Sequence, residues 1–286
     1  MEVEIKMLLV DGVTKRFGIK EVLHKIHLEL EDGMFFGLLG SNGAGKTTLM
    51  RIITTLLLPT EGRVLFDGQL LTRTNTKLKR QITMVTQEYT LRSDMTAEEI
   101  LFYQGMLYRI PKKQYRAESE RLLRFCDLWE DRKKQVRMLS GGMKRKLLLC
   151  RAILPQPRIV LLDEPTVGMD PFYRRQCWAL IRKLNQEGIT FLLTTHYMEE
   201  AQALCDRIAL IDGGQILETG TFDTLVSSLG RYAVDIFQNG KQRSLYFTSK
   251  EEALQFAKGQ QSVVAMRESN LEDVFLRKIG RKSGEG

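Results

Sequence analysis

The sequence predicts an α/β protein. A largely parallel sheet forms its core, with an antiparallel β subdomain near the start, an α-helical subdomain in the middle and a small α+β extension at the end. Three observations carry this. A short apolar run, Met34-Phe35-Phe36-Gly37-Leu38-Leu39, passes through a glycine-rich turn into a helical run from Thr47. A second apolar run, residues 158–162, ends in Asp163-Glu164; continuous apolar residues suit a strand buried on both faces. Between them, residues 97–103 and 118–128 carry apolar residues at helical spacing.

Taken in order, residues 7–85 read as strands, a loop, a first helix and a hairpin around 62–68, where Asp67-Gly68 is a turn signal. His24 and His27 fall in an alternating strand. Three residues apart on a regular strand, they should point to opposite faces and form no metal pair. Residues 88–150 form the helical insertion. Residues 158–220 return to strand, helix, strand, helix and strand, with Gly213-Gly214 turning into 215–220. Past residue 222 the pattern is a hairpin around Asn239-Gly240, a short helix, a strand and a closing helix over 271–279. The expected division is 1–222 as the main domain, with residues 88–150 as its helical subdomain, and 223–286 as the extension.

The glycine-rich turn is Gly40-Ser41-Asn42-Gly43-Ala44-Gly45-Lys46-Thr47-Thr48. It fits the phosphate-binding pattern G-x-x-x-x-G-K-[ST] at every fixed position. A turn between strand and helix leaves backbone N–H groups to cradle phosphates, and the helix N-terminus adds its partial positive charge. Residues 40–48 are the candidate nucleotide contacts. Lys46 can reach the β- and γ-phosphates, and the Thr47 hydroxyl can ligate Mg²⁺.

An Asp at the end of the second strand is placed for Mg²⁺, so Asp163 is the next metal candidate. Glu164 follows it and can orient or deprotonate an attacking water. Alone, the pair reads equally well as a strand ending in a solvated acidic turn. Beside a phosphate-binding loop it reads as chemistry.

Ser140-Gly141-Gly142 opens another helical stretch, a helix-terminal anion site. Leu139-Ser140-Gly141-Gly142-Met143 resembles the Leu-Ser-Gly-Gly-Gln signature of the ATP-binding-cassette (ABC) ATPases. Four of five positions match, and Ser140 lies 23 residues before Asp163, as in that family. Met143 departs from the family's glutamine, which touches fine geometry at that position. The resemblance implies a P-loop ATPase core with ATP and Mg²⁺ as ligands, and it implies the remaining roles. Phe17 matches the aromatic that stacks on adenine. Gln87 matches the glutamine that senses Mg²⁺ and the γ-phosphate and connects to the membrane partner. Asp170, in Val167-Gly168-Met169-Asp170, matches the loop that crosses to the opposite subunit. His196 matches the histidine at the γ-phosphate. Residues 195–201 and 270–276 resemble ATPase subunits of drug-, polysaccharide- and lipid-type exporters.

The resemblance further implies ATP hydrolysis coupled to transport, a transmembrane permease subunit as partner, and a head-to-tail dimer with a second copy or a homologous ATPase subunit. It implies a cytoplasmic chain, peripheral on the cytoplasmic face of the cell membrane. The alternatives are a soluble ABC protein acting on ribosomes or DNA, whose members carry two cassettes or a long coiled-coil insertion, and a P-loop kinase. The kinase would explain the loop but not the signature, Gln87 and His196 together.

Composition bounds the rest. The 286 residues are 43% hydrophobic and 27% charged, ordinary for a globular protein. No run of ~18 apolar residues is present, so no span is expected. No secretory or lipidation signal is visible at the ends. Cys126, Cys150, Cys177 and Cys205 are widely spaced and read as reduced, buried thiols. The net charge of +8 clusters at 77–80, 132–137, 144–146 and 277–282. Such runs are usually solvated helix faces, and attraction to an anionic leaflet is the functional reading. No nucleic-acid module accompanies them, so no nucleic-acid partner is expected.

Overall fold

The computed structural model describes residues 6–88, 90–238, 241–260 and 263–282. The expected Asn239-Gly240 turn lies outside the described residues.

The chain starts with a hairpin, β1 (Leu8–Phe17) and β2 (Lys20–Leu30). The buried strand β3 (Phe35–Gly40) then feeds helix α1 (Lys46–Ile53). Next come β4 (Glu61–Phe66) and β5 (Gln69–Leu70), a short helix α2 (Thr76–Lys79), and β6 (Ile82–Val85). Asp67 and Gly68, both at positive φ, make the tight β4–β5 turn. The helical subdomain contains α3 (Ala97–Leu107), α4 (Lys112–Phe125) and α5 (Gly141–Ile153). Then follow β7 (Ile159–Asp163), α6 (Pro171–Gln186), β8 (Thr190–Thr195), α7 (Met198–Leu204), β9 (Arg207–Asp212) and β10 (Gln215–Gly220). The C-terminal part holds α8 (Phe222–Ser227), β11 (Tyr232–Gln238), β12 (Lys241–Phe247), α9 (Lys250–Lys258), β13 (Val263–Glu268) and α10 (Leu271–Lys282).

Three sheets result. The central one has the order β10-β9-β3-β8-β7-β6. Its strands are parallel except β10, which returns antiparallel on β9. Strands β3, β7 and β8 are buried along their whole length, which is why 35–39, 159–162 and 191–193 read as apolar runs, with Asp163, Thr194 and Thr195 as buried polar residues at the carboxyl ends. A four-stranded antiparallel sheet, β2-β1-β4-β5, covers the face that carries α1. Helices α3 to α7 share a core with the other face.

The third sheet, β12-β11-β13, packs Val234 and Ile236 against Ala253 of α9. The closing helix α10 does not stay with it. Leu271, Val274 and Phe275 enter the same core as α7 and the central sheet. On the other side of β11, the buried Asp235 meets Arg267, whose guanidinium forks onto Asp273 at 2.6 and 2.8 Å.

The histidine expectation needs correction. Lys25 sits at φ +47 and inserts one extra residue in β2. Leu23 and Ile26 are therefore both buried, and His24 and His27 share the outward side. They remain unpaired with each other: His24 meets Glu21, and His27 meets Asp11. The Lys144-Arg145-Lys146 run is not a solvated face either, because Arg145 is only 1% exposed. All four cysteines are free and buried. No helix among the described residues is long and apolar enough to cross a membrane.

Candidate functional site

The glycine-rich turn joins the carboxyl end of β3 to α1, in the position where α/β sheets gather ligands. Gly45 caps α1 at φ +100. A Cβ there would lie 2.5 Å from Leu23 Cδ2 and 3.1 Å from Val22 O, so the loop is pressed against β2. The β9–β10 turn supports it from another side. Gly214 N donates to Ala44 O at 3.2 Å, and His24 N donates to Gly214 O at 2.8 Å.

Asn42, Gly43, Gly45, Lys46, Thr47, Thr48, Gln87 and Glu164 line one cleft of about 400 Å³ together with Val22. Lys46 Nζ donates to Gly40 O at 2.8 Å and Ser41 O at 3.0 Å, and lies 3.4 Å from Glu164 Oε1. Burial pushes the ammonium below its ordinary value, against the pull of Glu164 and Asp163. Thr47 Oγ1 donates to Asp163 Oδ1 at 3.2 Å, and Thr194 Oγ1 donates to the same oxygen at 2.6 Å. Glu164 N donates to Thr194 O at 3.0 Å.

Glu164 itself adopts φ +47, a conformation that a non-glycine residue holds only where its surroundings dictate it. His196 Nδ1 stands 3.3 Å from Glu164 Oε2, off the line of a hydrogen bond. The His196 ring leans on Tyr197 at 4.2 Å, and Arg174 lies 4.2 Å over the Tyr197 ring. Lys46, Thr47, Asp163, Glu164 and His196 are thus brought together, with Gln87 facing the same cleft.

Other expected residues lie elsewhere. Phe17 ends β1 and is 51% exposed, beneath Lys15 Nζ at 5.1 Å and outside the residues lining the cleft. Ser140 caps α5, its Oγ accepting from Met143 N at 3.2 Å. Ser140 and Gly142 line a separate cavity of about 70 Å³ with Met143, Met169 and Tyr173. Asp170 caps α6, accepting from Phe172 N and Tyr173 N at 3.1 Å. Met143 is partly buried against the main core, so this side chain packs where glutamine would hydrogen-bond.

Several supporting residues escaped the sequence reading. Thr194 holds both carboxylate residues, and a threonine pair before His196 was the available signal. Glu200 is wholly buried and accepts from Thr166 Oγ1 at 2.7 Å and Trp178 Nε1 at 3.0 Å, tying the loop after Glu164 to the helix after His196. Nothing in the spacing announces that contact.

Comparison with known proteins agrees with this geometry. The family model described as "ABC transporter" matches residues 23–167. The daunorubicin resistance ATP-binding protein DrrA3 of Streptomyces coeruleorubidus is 38% identical over 79% of this chain and 72% of its own length. The Nod factor export ATP-binding protein I of Ralstonia nicotianae is 32% identical over 96% of this chain and 94% of its own, so that match takes in the C-terminal sheet. A solved structure titled as the ATP binding subunit of an ABC transporter superposes with a TM-score of 0.70 at 26% identity, over 78% of this chain and 92% of that one. The chain belongs to the ABC transporter family, as an ATPase subunit of exporter type.

Proposed function

We propose that this ATPase powers export through a separate permease by closing head-to-tail on a second ATPase subunit around ATP. The observation that carries the reading is the single cleft shared by Lys46, Thr47, Gln87 and Glu164. Lys46 and the loop N–H groups bind the phosphates. Glu164, held at a fixed angle by Thr194 and flanked by His196, takes the proton from the attacking water. Gln87 and His196 face the γ-phosphate. Phe17 stacks on the adenine, its ring being half exposed at the hairpin tip with Lys15 over one face.

The donor set also fits Mg²⁺. Thr47 Oγ1 and Asp163 Oδ1 lie together and offer oxygen only, and few protein ligands are needed where phosphates and waters supply the rest. When bound there, Mg²⁺ neutralises charge on the phosphates. Ser140, Gly141 and Gly142, with the Asp170 loop beside them, complete the partner's site. The names of the relatives, drug resistance and Nod factor export, supply the outward direction.

The permease is proposed to dock beside Gln87, holding the chain on the cytoplasmic membrane face. Phe102, Tyr103, Met106 and Leu107 of α3 are all exposed, an apolar strip unusual for a solvated helix. Next to it, Arg92, Met95, Tyr103, Leu107 and Arg151 line a groove of about 380 Å³.

Glu164→Gln tests the chemistry. It keeps the shape and removes the base, so ATP binding should persist while turnover falls ~10²–10⁴-fold. Phosphate release near the unmodified rate would remove Glu164 from this role.

A further inference from the structure

We propose that Arg145 is a positioning residue that locks the backbone carrying Gln87 to the signature helix α5. The inference rests on the reading of Gln87 given above and adds the residue that sets its place.

Arg145 is among the largest fully buried side chains of the protein, at 1% exposure. A guanidinium stays charged under all ordinary conditions, so burying it demands strong acceptors. It finds them on two consecutive carbonyls. Nη1 donates to Thr86 O at 2.8 Å and Nη2 donates to Gln87 O at 3.0 Å. Thr86 and Gln87 follow directly on β6, an edge strand of the central sheet, and belong to no regular element themselves. The forked grip therefore fixes a short irregular segment whose Gln87 side chain faces the nucleotide cleft. Arg145 sits five residues after Ser140 on one continuous helix, with Ser140 as its N-cap. Displacement of the signature end of α5 is transmitted to Gln87 through two hydrogen bonds and no flexible link.

Burial pushes the nearby Cys177 thiol up, Glu200 adds to that push and Arg145 opposes it. The flanking residues are used differently: Lys146 Nζ reaches Asp127 at 3.3 Å, on the outside. Lysine could not replace Arg145, because an ammonium is a compact point charge without the planar fork that spans two carbonyls.

The test is a double-mutant cycle in the full chain, with phosphate release, KM for ATP and melting temperature measured for Arg145→Lys, Gln87→Ala and the pair. Arg145→Lys should lower kcat by about 10–100-fold, the range for residues that support a metal-site ligand, while KM changes less than about twofold. In the Gln87→Ala background the same substitution should change kcat by less than about twofold, because its target is gone. Arg145→Ala with added methylguanidinium is the second arm, and partial recovery of kcat is expected.

Equal losses of kcat in both backgrounds would overturn the proposal, as would lowered melting temperature with unchanged kcat. Failure of both Arg145 variants to fold would assign the residue to stability alone and likewise overturn it. If Gln87→Ala leaves kcat unchanged, the reading of Gln87 fails first and takes this inference with it. If Gln87→Ala lowers kcat and Arg145→Lys does not, only the inference fails.

Discussion

Single atoms decide whether the phosphate loop can exist. Gly45 is at φ +100, where an L side chain is strained, and its missing Cβ leaves room for Leu23 and Val22 O. Gly45→Ala is expected to weaken ATP binding at least ~10-fold and to cost ~1–3 kcal/mol of stability through strain and displacement. Titration of a fluorescent ATP analogue alongside thermal melting checks both; unchanged affinity would mean that the loop does not need this conformation. The residue scale is also where the sequence was most legible. Lys46, Thr47, Asp163 and Glu164 announced themselves because strand, turn and helix fix their spacing. Arg145 stayed hidden because its run looks like a solvated basic face, and burial of a charge is decided by partners distant in sequence. The bulge at Lys25 was invisible for a similar reason: one inserted residue flips the phase of a strand, and lysine carries no signal for it.

At the level of elements, one guanidinium ties α10 to the C-terminal sheet, beside the Tyr246 hydroxyl, which donates to Asp273 at 3.2 Å. Arg267 grips Asp273 of α10 with two nitrogens and Asp235 of β11 with a third contact at 3.0 Å. Burial pushes the Asp273 carboxyl up, but Arg267 and the Asn270 N–H outweigh it and hold the acid below its ordinary value. A depressed carboxyl stabilises the fold above its unfolded value, ~4, and loses that contribution as pH falls through the folded value. Arg267→Met leaves two buried carboxylates facing each other. It should cost ~2 kcal/mol locally, less than the ~3–5 of a fully buried pair because Arg267 is about a third exposed. Hydrogen exchange should quicken over 232–282 while β3 and β8 stay protected. Uniform loss of protection in both regions would contradict a separable contact. The order β11, β12, α9, β13 and α10 was readable from periodicity, whereas helix α8 ahead of it was not expected. The return of α10 to the main core was not, since its apolar stripe gives no hint of which surface it faces.

On the scale of the whole molecule, the residues of the proposed ATP site lie in two separate places. Lys46 lines one cleft and Ser140 another, and among the described residues none lines both. Two chains arranged head to tail would unite them. A Lys46→Ala chain and a Ser140→Arg chain should each fail to trap ATP. Mixed, they should trap about one ATP per mixed dimer, since one composite site keeps both parts. No recovery from folded, associating variants would rule out a shared site.

The support beneath the phosphate loop is largely main chain against main chain. Val22 O lies where a Cβ on Gly214 would come within 2.2 Å, and the bonds from Gly214 to Ala44 and from His24 to Gly214 run between backbone atoms. Contacts of that kind are inherited by shape and not by spelling. Many side chains farther from them can be exchanged while the bed of the loop is unchanged, so long as Gly45 and Gly214 keep the spacing open. A structure sharing only 26% of its residues with this chain can therefore superpose on it with a TM-score of 0.70. Substitution should be tolerated least where the phosphate loop, β2 and the β9–β10 turn touch.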